Sequence, residues 1–267
     1  MSISAIIVAA GTGTRLGGST PKGFVRLSGK ALFLYSLEVL LSHEAVADAV
    51  LVVPEGFEPK AKKIITGSRW KAPRCKTAGN PSILKEKELS SIAHSLTPQQ
   101  AAGNALAMGF SKKVALVAGG KERWQSVEKG VRAATAEWVL VHDAARPFVT
   151  KAVVDAVLVK KDNYDCAITV TQEVDTIRTI SGDLAGEIIE RQSLVRVGTP
   201  QLFRRRVLLE AFTAARDCPS PPTDEAVLMQ RMGVPVALAW GDPMNFKITT
   251  AADFAMAEAL IAHRLYK

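Results

Sequence analysis

The sequence predicts an α/β fold built on a mainly parallel sheet. Short unbroken apolar runs of strand length recur along the chain, and they alternate with segments of helical periodicity. Glycine, proline or aspartate follows directly on four of the runs. Continuous apolar runs mark strands buried on both faces, and alternation with helices marks βαβ units. In chain order, Ala5–Ala10 is the first such strand and stops at Gly11. Leu32, Leu34, Tyr35, Leu37, Val39, Leu40 and Leu41 make a mostly apolar helix. Ala49–Val53 is the second strand, halted by Pro54, and Val114–Ala118 the third, ended by Gly119-Gly120. A helix is expected from about Glu122 to Thr135, a strand over Trp138–His142, a helix over Thr150–Val159 and a strand over Cys166–Thr171. A last helix follows the loop Gly241–Thr250.

Two stretches break this rhythm. Residues 54–113 carry Pro, Gly, Ser and Lys, with weak helical patterns near Ile83–Ser95 and Pro98–Met108. So long a connection in a compact domain is an insertion or a functional excursion. Thr176–Ile180 and Glu187–Arg191 flank a Gly/Asp-containing turn and read as a β-hairpin arm over about 175–191. The expected organisation is therefore one domain over 1–267, with an insertion within about 54–113 and this protruding arm.

Composition narrows the partners. Hydrophobic residues are 48% and charged residues 22%, which fits a globular chain and excludes a disordered one. Lys and Arg outnumber Asp and Glu by 34 to 26, a net charge of +8 that suits an anionic ligand. No long basic run is present, and charge alone leaves nucleic acid, anionic lipid, phosphorylated small molecules and a plain soluble basic surface open. The longest apolar stretch, Ala31–Leu41, is interrupted by Tyr35, Ser36 and Glu38 and is too short to span a bilayer. Three scattered cysteines (Cys75, Cys166, Cys218) make neither a disulfide framework nor a metal motif, and the four histidines lack metal-ligand spacing. No protein-ligated metal site is expected. The opening residues lack the cationic start of a signal peptide, and a cytoplasmic location is the expectation.

Four glycine-rich or charged loops follow strands or precede helices, where open α/β sheets bind ligands. Ala9-Ala10-Gly11-Thr12-Gly13-Thr14-Arg15 lets backbone amides approach a nucleotide closely, and Arg15 and Lys22 place two cations beside it. Leu16 excludes a dinucleotide fingerprint, and Ser19 excludes a P-loop. Gly119-Gly120 through Ser126 opens a helix. In His142–Pro147, Asp143 suits a ribose hydroxyl or hydrated Mg²⁺, or else a plain turn. Asn245-Phe246-Lys247 precedes the last helix. No Ser-His-Asp, Cys-His or paired-carboxylate arrangement stands out, which fits a reaction whose nucleophile arrives with the substrate.

In order, Ala9-Ala10-Gly11-x-Gly13-x-Arg15-Leu16 with Pro21-Lys22, Gly119-Gly120-x-x-Arg123-x-x-Ser126-Val127, Val141–Pro147, Thr199–Phe203, Thr223–Ala226 and Asn245–Thr249 resemble the 2-C-methyl-D-erythritol 4-phosphate cytidylyltransferase family. The resemblance implies a Rossmann-like, nucleotidyltransferase-type sheet whose hairpin is a dimerisation arm, a homodimer, and CTP with Mg²⁺ held mainly through its phosphates. It implies that Arg15, Lys22 and Lys247 contact the phosphates and the transition state. Ala9, Ala10, Gly11, Gly13, Gly120 and Ser126 would enclose the nucleotide, with Asp143 and Ala144 near ribose and Mg²⁺. Thr176, Arg191 and Thr223 would bind the polyol phosphate, with ribitol 5-phosphate the alternative acceptor. The chain departs from the family pattern at Gly23, where glutamine is usual, at the bulky Trp124, and at Phe246, where Ile is usual.

Overall fold

The computed structural model describes residues 2–11, 20–67, 112–215, 222–263 and 265. The expected weak helices near 83–95 and 98–108 lie outside the described residues, as do Gly13 and Arg15. The opening apolar run forms β1 (Ile3–Val8), followed by the short strands β2 (Arg26–Leu27) and β3 (Lys30–Ala31) and helix α1 (Leu32–Ser42). Then come β4 (Val46–Val53), α2 (Glu58–Gly67), β5 (Val114–Ala118), α3 (Arg123–Ala133), β6 (Trp138–Asp143), α4 (Lys151–Leu158) and β7 (Cys166–Gln172). The hairpin strands are β8 (Ile177–Ser181) and β9 (Leu184–Ile189). The remaining elements are β10 (Val195–Arg204), α5 (Arg205–Ala214), α6 (Glu225–Arg231), β11 (Val236–Trp240) and α7 (Ala251–Ala262).

Among the described residues the main sheet has seven strands in the order β11-β7-β10-β6-β1-β4-β5. Neighbours β6, β1, β4 and β5 run parallel, as do β7 and β11, while β10 is antiparallel to both β6 and β7. The reversed strand, the edge strand β11 and helices α2, α5 and α6 go beyond the elements expected from the sequence pattern.

The period of two along each strand builds the core. Ile3, Ala5 and Ile7 of β1 face one layer with Phe33, Leu37 and Leu40 of α1 and Val153 and Val157 of α4. Ile6 faces the other, with Val127 and Val131 of α3 and Leu208 and Phe212 of α5. Burying each such Leu or Ile is worth about 1.5–3 kcal/mol over leaving it exposed. Helix starts are fixed by caps. Thr150 Oγ1 accepts from Val153 N at 3.3 Å, Asp224 Oδ1 from Val227 N at 3.1 Å, and Thr250 Oγ1 from Asp253 N at 3.2 Å. Each cap contributes about 1 kcal/mol.

The hairpin forms a two-stranded sheet of its own, turning at Gly182-Asp183 with Gly182 at φ +57°. Three of its apolar side chains stand largely uncovered: Ile180 is 85% exposed, Leu184 74% and Ile188 61%. Phe246, the departure noted above, packs on Phe148 with ring centroids 5.4 Å apart. Trp124 lies partly buried against the second core layer.

Candidate active site

Backbone hydrogen bonds shape the carboxyl edge of the sheet. Ala9 N donates to Val52 O at 2.7 Å, Gly119 N to Val53 O at 2.7 Å and Ala144 N to Val8 O at 3.1 Å. These bonds draw the loops after β1, β5 and β6 around one cleft of about 430 Å³. Ala9, Ala10, Gly11, Lys22, Gly120, Ser126, Asp143, Ala144 and Lys247 all line it. Lys22 N donates to Gly11 O at 3.1 Å, which fastens the two ends of the glycine loop together. Glycine at 23 follows from close approach, since a Cβ there would lie 2.7 Å from Ala9 Cβ. Position 119 is equally tight: a Cβ would meet Ala10 Cβ at 2.6 Å and Ser126 Oγ at 2.9 Å. Ser126 Oγ accepts from Gly120 N at 3.0 Å and so holds the second glycine corner against α3.

Asp143, on the last residue of β6, is the electrostatic centre of the cleft. Its Oδ2 accepts from Lys247 Nζ at 2.8 Å and its Oδ1 from Arg123 Nε at 3.2 Å, while Arg146 Nε lies 4.0 Å away. Burial disfavours the carboxylate, but Arg123 and Lys247 outweigh it and hold the Asp143 carboxyl well below the usual range. Arg123 also donates from Nη1 to both oxygens of Glu225, at 2.8 and 2.9 Å. Burial would lower its affinity for the proton, yet Asp143 and Glu225 raise it. The preceding residue, His142, is fully buried, and burial lowers its pKa to about 4. Its Nε2 donates to Arg146 O at 3.1 Å and its Nδ1 accepts from Thr199 Oγ1 at 3.1 Å. The neutral ring thereby braces the turn that carries Asp143, whose own N–H donates to Thr199 Oγ1.

A second cavity, about 330 Å³, lies along β7, β10 and the 242–247 loop. Arg146, Arg196, Thr169 and Asn245 line it, and Lys247 lines both cavities. Arg146 Nη1 donates to Asn245 O at 2.9 Å, and Asn245 Nδ2 to Thr199 O at 2.7 Å, so this wall is tied to the Asp143 turn. The two cavities are therefore neighbours that share Lys247 in their walls.

Nine expected site residues therefore meet at one cleft. Thr176, Arg191 and Thr223 do not line it; all three are exposed in the single chain. Arg191 Nη1 donates instead to Val174 O at 2.8 Å, at the base of the hairpin. The structure adds Arg123, Arg146 and Glu225 to the residues expected from sequence. The first two stand inside the quoted motifs as cations beside a strand end, a signal that is available in the sequence. Glu225 also stands inside a quoted motif, Thr223–Ala226, but nothing there marks it as buried, because an acid in a helix's first turn is ordinarily exposed.

The donor set limits how Mg²⁺ could be held. Among the described residues no group of three or more His, Cys, Asp or Glu side chains converges. The carboxylates lining the cleft are Asp143, already bonded to two cations, and the exposed Glu122. Among the described residues this set fits a cation carried by nucleotide phosphates with Asp143 beside it.

A mainly parallel sheet with glycine corners and a cation-lined cleft at its carboxyl edge defines an α/β protein of the nucleotidyltransferase type. The family model of 2-C-methyl-D-erythritol 4-phosphate cytidylyltransferase matches residues 3–72 and 80–263. The chain belongs to this family. The cytidylyltransferase of Geobacillus kaustophilus is 32% identical over 266 residues, covering 99% of both chains. The bifunctional enzyme IspD/IspF of Rhizorhabdus wittichii is 33% identical over 262 residues, covering 98% of this chain. This chain spans 56% of that relative's length. The crystal structure of the Thermus thermophilus cytidylyltransferase superposes with a TM-score of 0.70 at 28% identity, covering 98% of this chain and 100% of that one. The family match runs through most of 54–113, interrupted only over 73–79. Among the described residues no helix is long and apolar enough to cross a membrane.

Proposed function

We propose that the protein transfers the cytidylyl group of CTP to 2-C-methyl-D-erythritol 4-phosphate, releasing pyrophosphate and giving 4-diphosphocytidyl-2-C-methyl-D-erythritol in isoprenoid precursor synthesis. The observation that carries this reading is Lys247, which lines both the nucleotide-sized cleft and the second cavity. A phosphate monoester oxygen attacks the α-phosphorus, the new O–P bond forms, and the bond to the pyrophosphate oxygen breaks. With a second pKa of about 6, the monoester is already an anion at neutral pH and needs no general base. The barrier is repulsion between polyanions and charge at phosphorus. Lys22 and Lys247 oppose it from fixed positions, with Arg15 in the same role, so charge stabilisation needs no reorganisation. Ala9, Ala10, Gly11, Gly120, Ser126 and Ala144 would enclose the nucleoside. Mg²⁺, bound through the phosphates beside Asp143, would neutralise further charge. Cytoplasmic location fits this reading.

The test is pyrophosphate release. CTP with methylerythritol phosphate and Mg²⁺ should support turnover, ATP far less, and a higher kcat/KM with ribitol 5-phosphate would overturn the acceptor assignment.

The arm is read as a homodimer contact. An isolated two-stranded ribbon is marginal in water, and the exposed Ile180, Leu184 and Ile188 fit a second copy of the chain. Thr176 and Arg191 would then reach the partner's acceptor site, with Thr223 completing it. Mixing Lys22→Ala with Arg191→Ala under subunit exchange should restore part of the activity. Exchange without recovery would place Arg191 in its own subunit's site.

A further inference from the structure

We propose that Glu225 is a positioning residue of the transfer site: it holds the Arg123 guanidinium, which orients Asp143 toward Lys247. The inference rests on reading the cleft as the site of cytidylyl transfer. Glu225 opens α6, directly after its N-cap Asp224, yet its side chain is 0% exposed. A carboxylate on the first turn of a surface helix gains from the helix dipole while exposed and has no need of burial. A buried charge is costly unless paired, and among the described residues this one meets a single cation, with both oxygens on Arg123 Nη1. Burial pushes the Glu225 carboxyl up, and Arg123 is the group that opposes it. The other edge of the same guanidinium, Nε, donates to Asp143 Oδ1. A rigid planar fork held at one edge is thereby aimed at the other. With Oδ1 engaged, Oδ2 is the atom presented to Lys247 Nζ, at 2.8 Å. The chain of contacts links residues 225, 123, 143 and 247 and ends on Lys247, which lines both cavities.

Glu225→Gln keeps the shape but replaces one acceptor by a donor facing Arg123. It should lower kcat about tenfold, since small misplacements at a reacting centre cost up to about a hundredfold. KM for the polyol phosphate should stay within about twofold. In an Asp143→Asn background the same change should lower kcat by less than about twofold, because residues acting in one network are non-additive. Labelling supplies a readout without turnover. Asp143 Oδ2 covers one side of Lys247 Nζ at 2.8 Å, so once Asp143 is turned away acetic anhydride should reach and modify Lys247 several-fold faster in Glu225→Gln, relative to Lys22, as read by peptide mass spectrometry. Faster labelling of that variant, with a wild-type protein that released no pyrophosphate, would retain the relay and sink the functional reading instead. Unchanged kcat and labelling, or a full tenfold loss in the Asp143→Asn background, would overturn the proposal. A raised acceptor KM with intact kcat would also overturn it, placing Glu225 with Thr223. If the glutamine variant does not fold, Glu225→Asp keeps the charge one methylene short and is held to the same outcomes.

Discussion

Lys247→Ala is expected to lower kcat for pyrophosphate release about a hundredfold, the size of losing one preorganised group that stabilises transition-state charge. Lys247 reaches Asp143 from a loop 104 residues further along the chain, and both cavities touch it. Its side chain is 40% exposed, so the ion pair with Asp143 adds little to folding. Arg123 and Arg146 remain beside Asp143 in its absence. Melting temperature should thus move by only a few degrees while turnover collapses. Lys247→Arg should recover part of the rate, since it restores charge but not the compact ammonium. A kcat within about threefold of wild type for Lys247→Ala would remove the residue from the reaction and, with it, the two-cavity reading.

Asp143→Ala should behave differently, losing both stability and turnover. Removing one partner from a buried charge cluster costs about 3–5 kcal/mol, because the cations that remain are uncompensated. For a chain of this size that is a fall in melting temperature of about 10 °C. The pH dependence carries the same signature. The folded Asp143 carboxyl lies below its ordinary 3.8, so its stabilisation is complete above that value and is lost as pH falls beneath it. His142 acts in a higher window. Its folded value of about 4 lies below the ordinary 6.5, so the unfolded chain takes up the proton first and stability declines from about pH 6.5 toward 4. Wild type, the more stable at neutral pH, and Asp143→Asn should therefore share the upper slope and converge below about pH 4, where only wild type loses the Asp143 stabilisation, as followed by thermal melts. Parallel curves through the acid limb would show that Asp143 is not held by its cations.

Local pattern makes much of this legible. The strands β1, β4 and β6 are readable because both faces are largely buried, so their runs are apolar almost without interruption, and the edge strand β5 keeps an apolar run although one face is only half-buried. Strand β10 is not, although Thr199–Phe203 stands out as a motif, because proline within a run argues against a sheet interior. Strand β11 escapes for want of contrast: Ala237 and Ala239 are the inward residues, while Leu238 and Trp240 face out.

The sequence by itself determined the parallel core, the glycine corners at strand ends and the residue types that face the cleft. Each of these is a local requirement: an apolar run, a missing Cβ, a cation within a loop. The tertiary structure alone decided which charges meet. Arg123 finds Glu225 across 102 residues and Lys247 finds Asp143 across 104. Periodicity reports whether a position is buried, but an ion pair depends on the neighbour that the topology brings beside it. The reversed strand β10, inserted between β6 and β7, brings Thr199 to the Asp143 turn. No pattern within either segment specifies that meeting, because its geometry exists only once the sheet has closed around them.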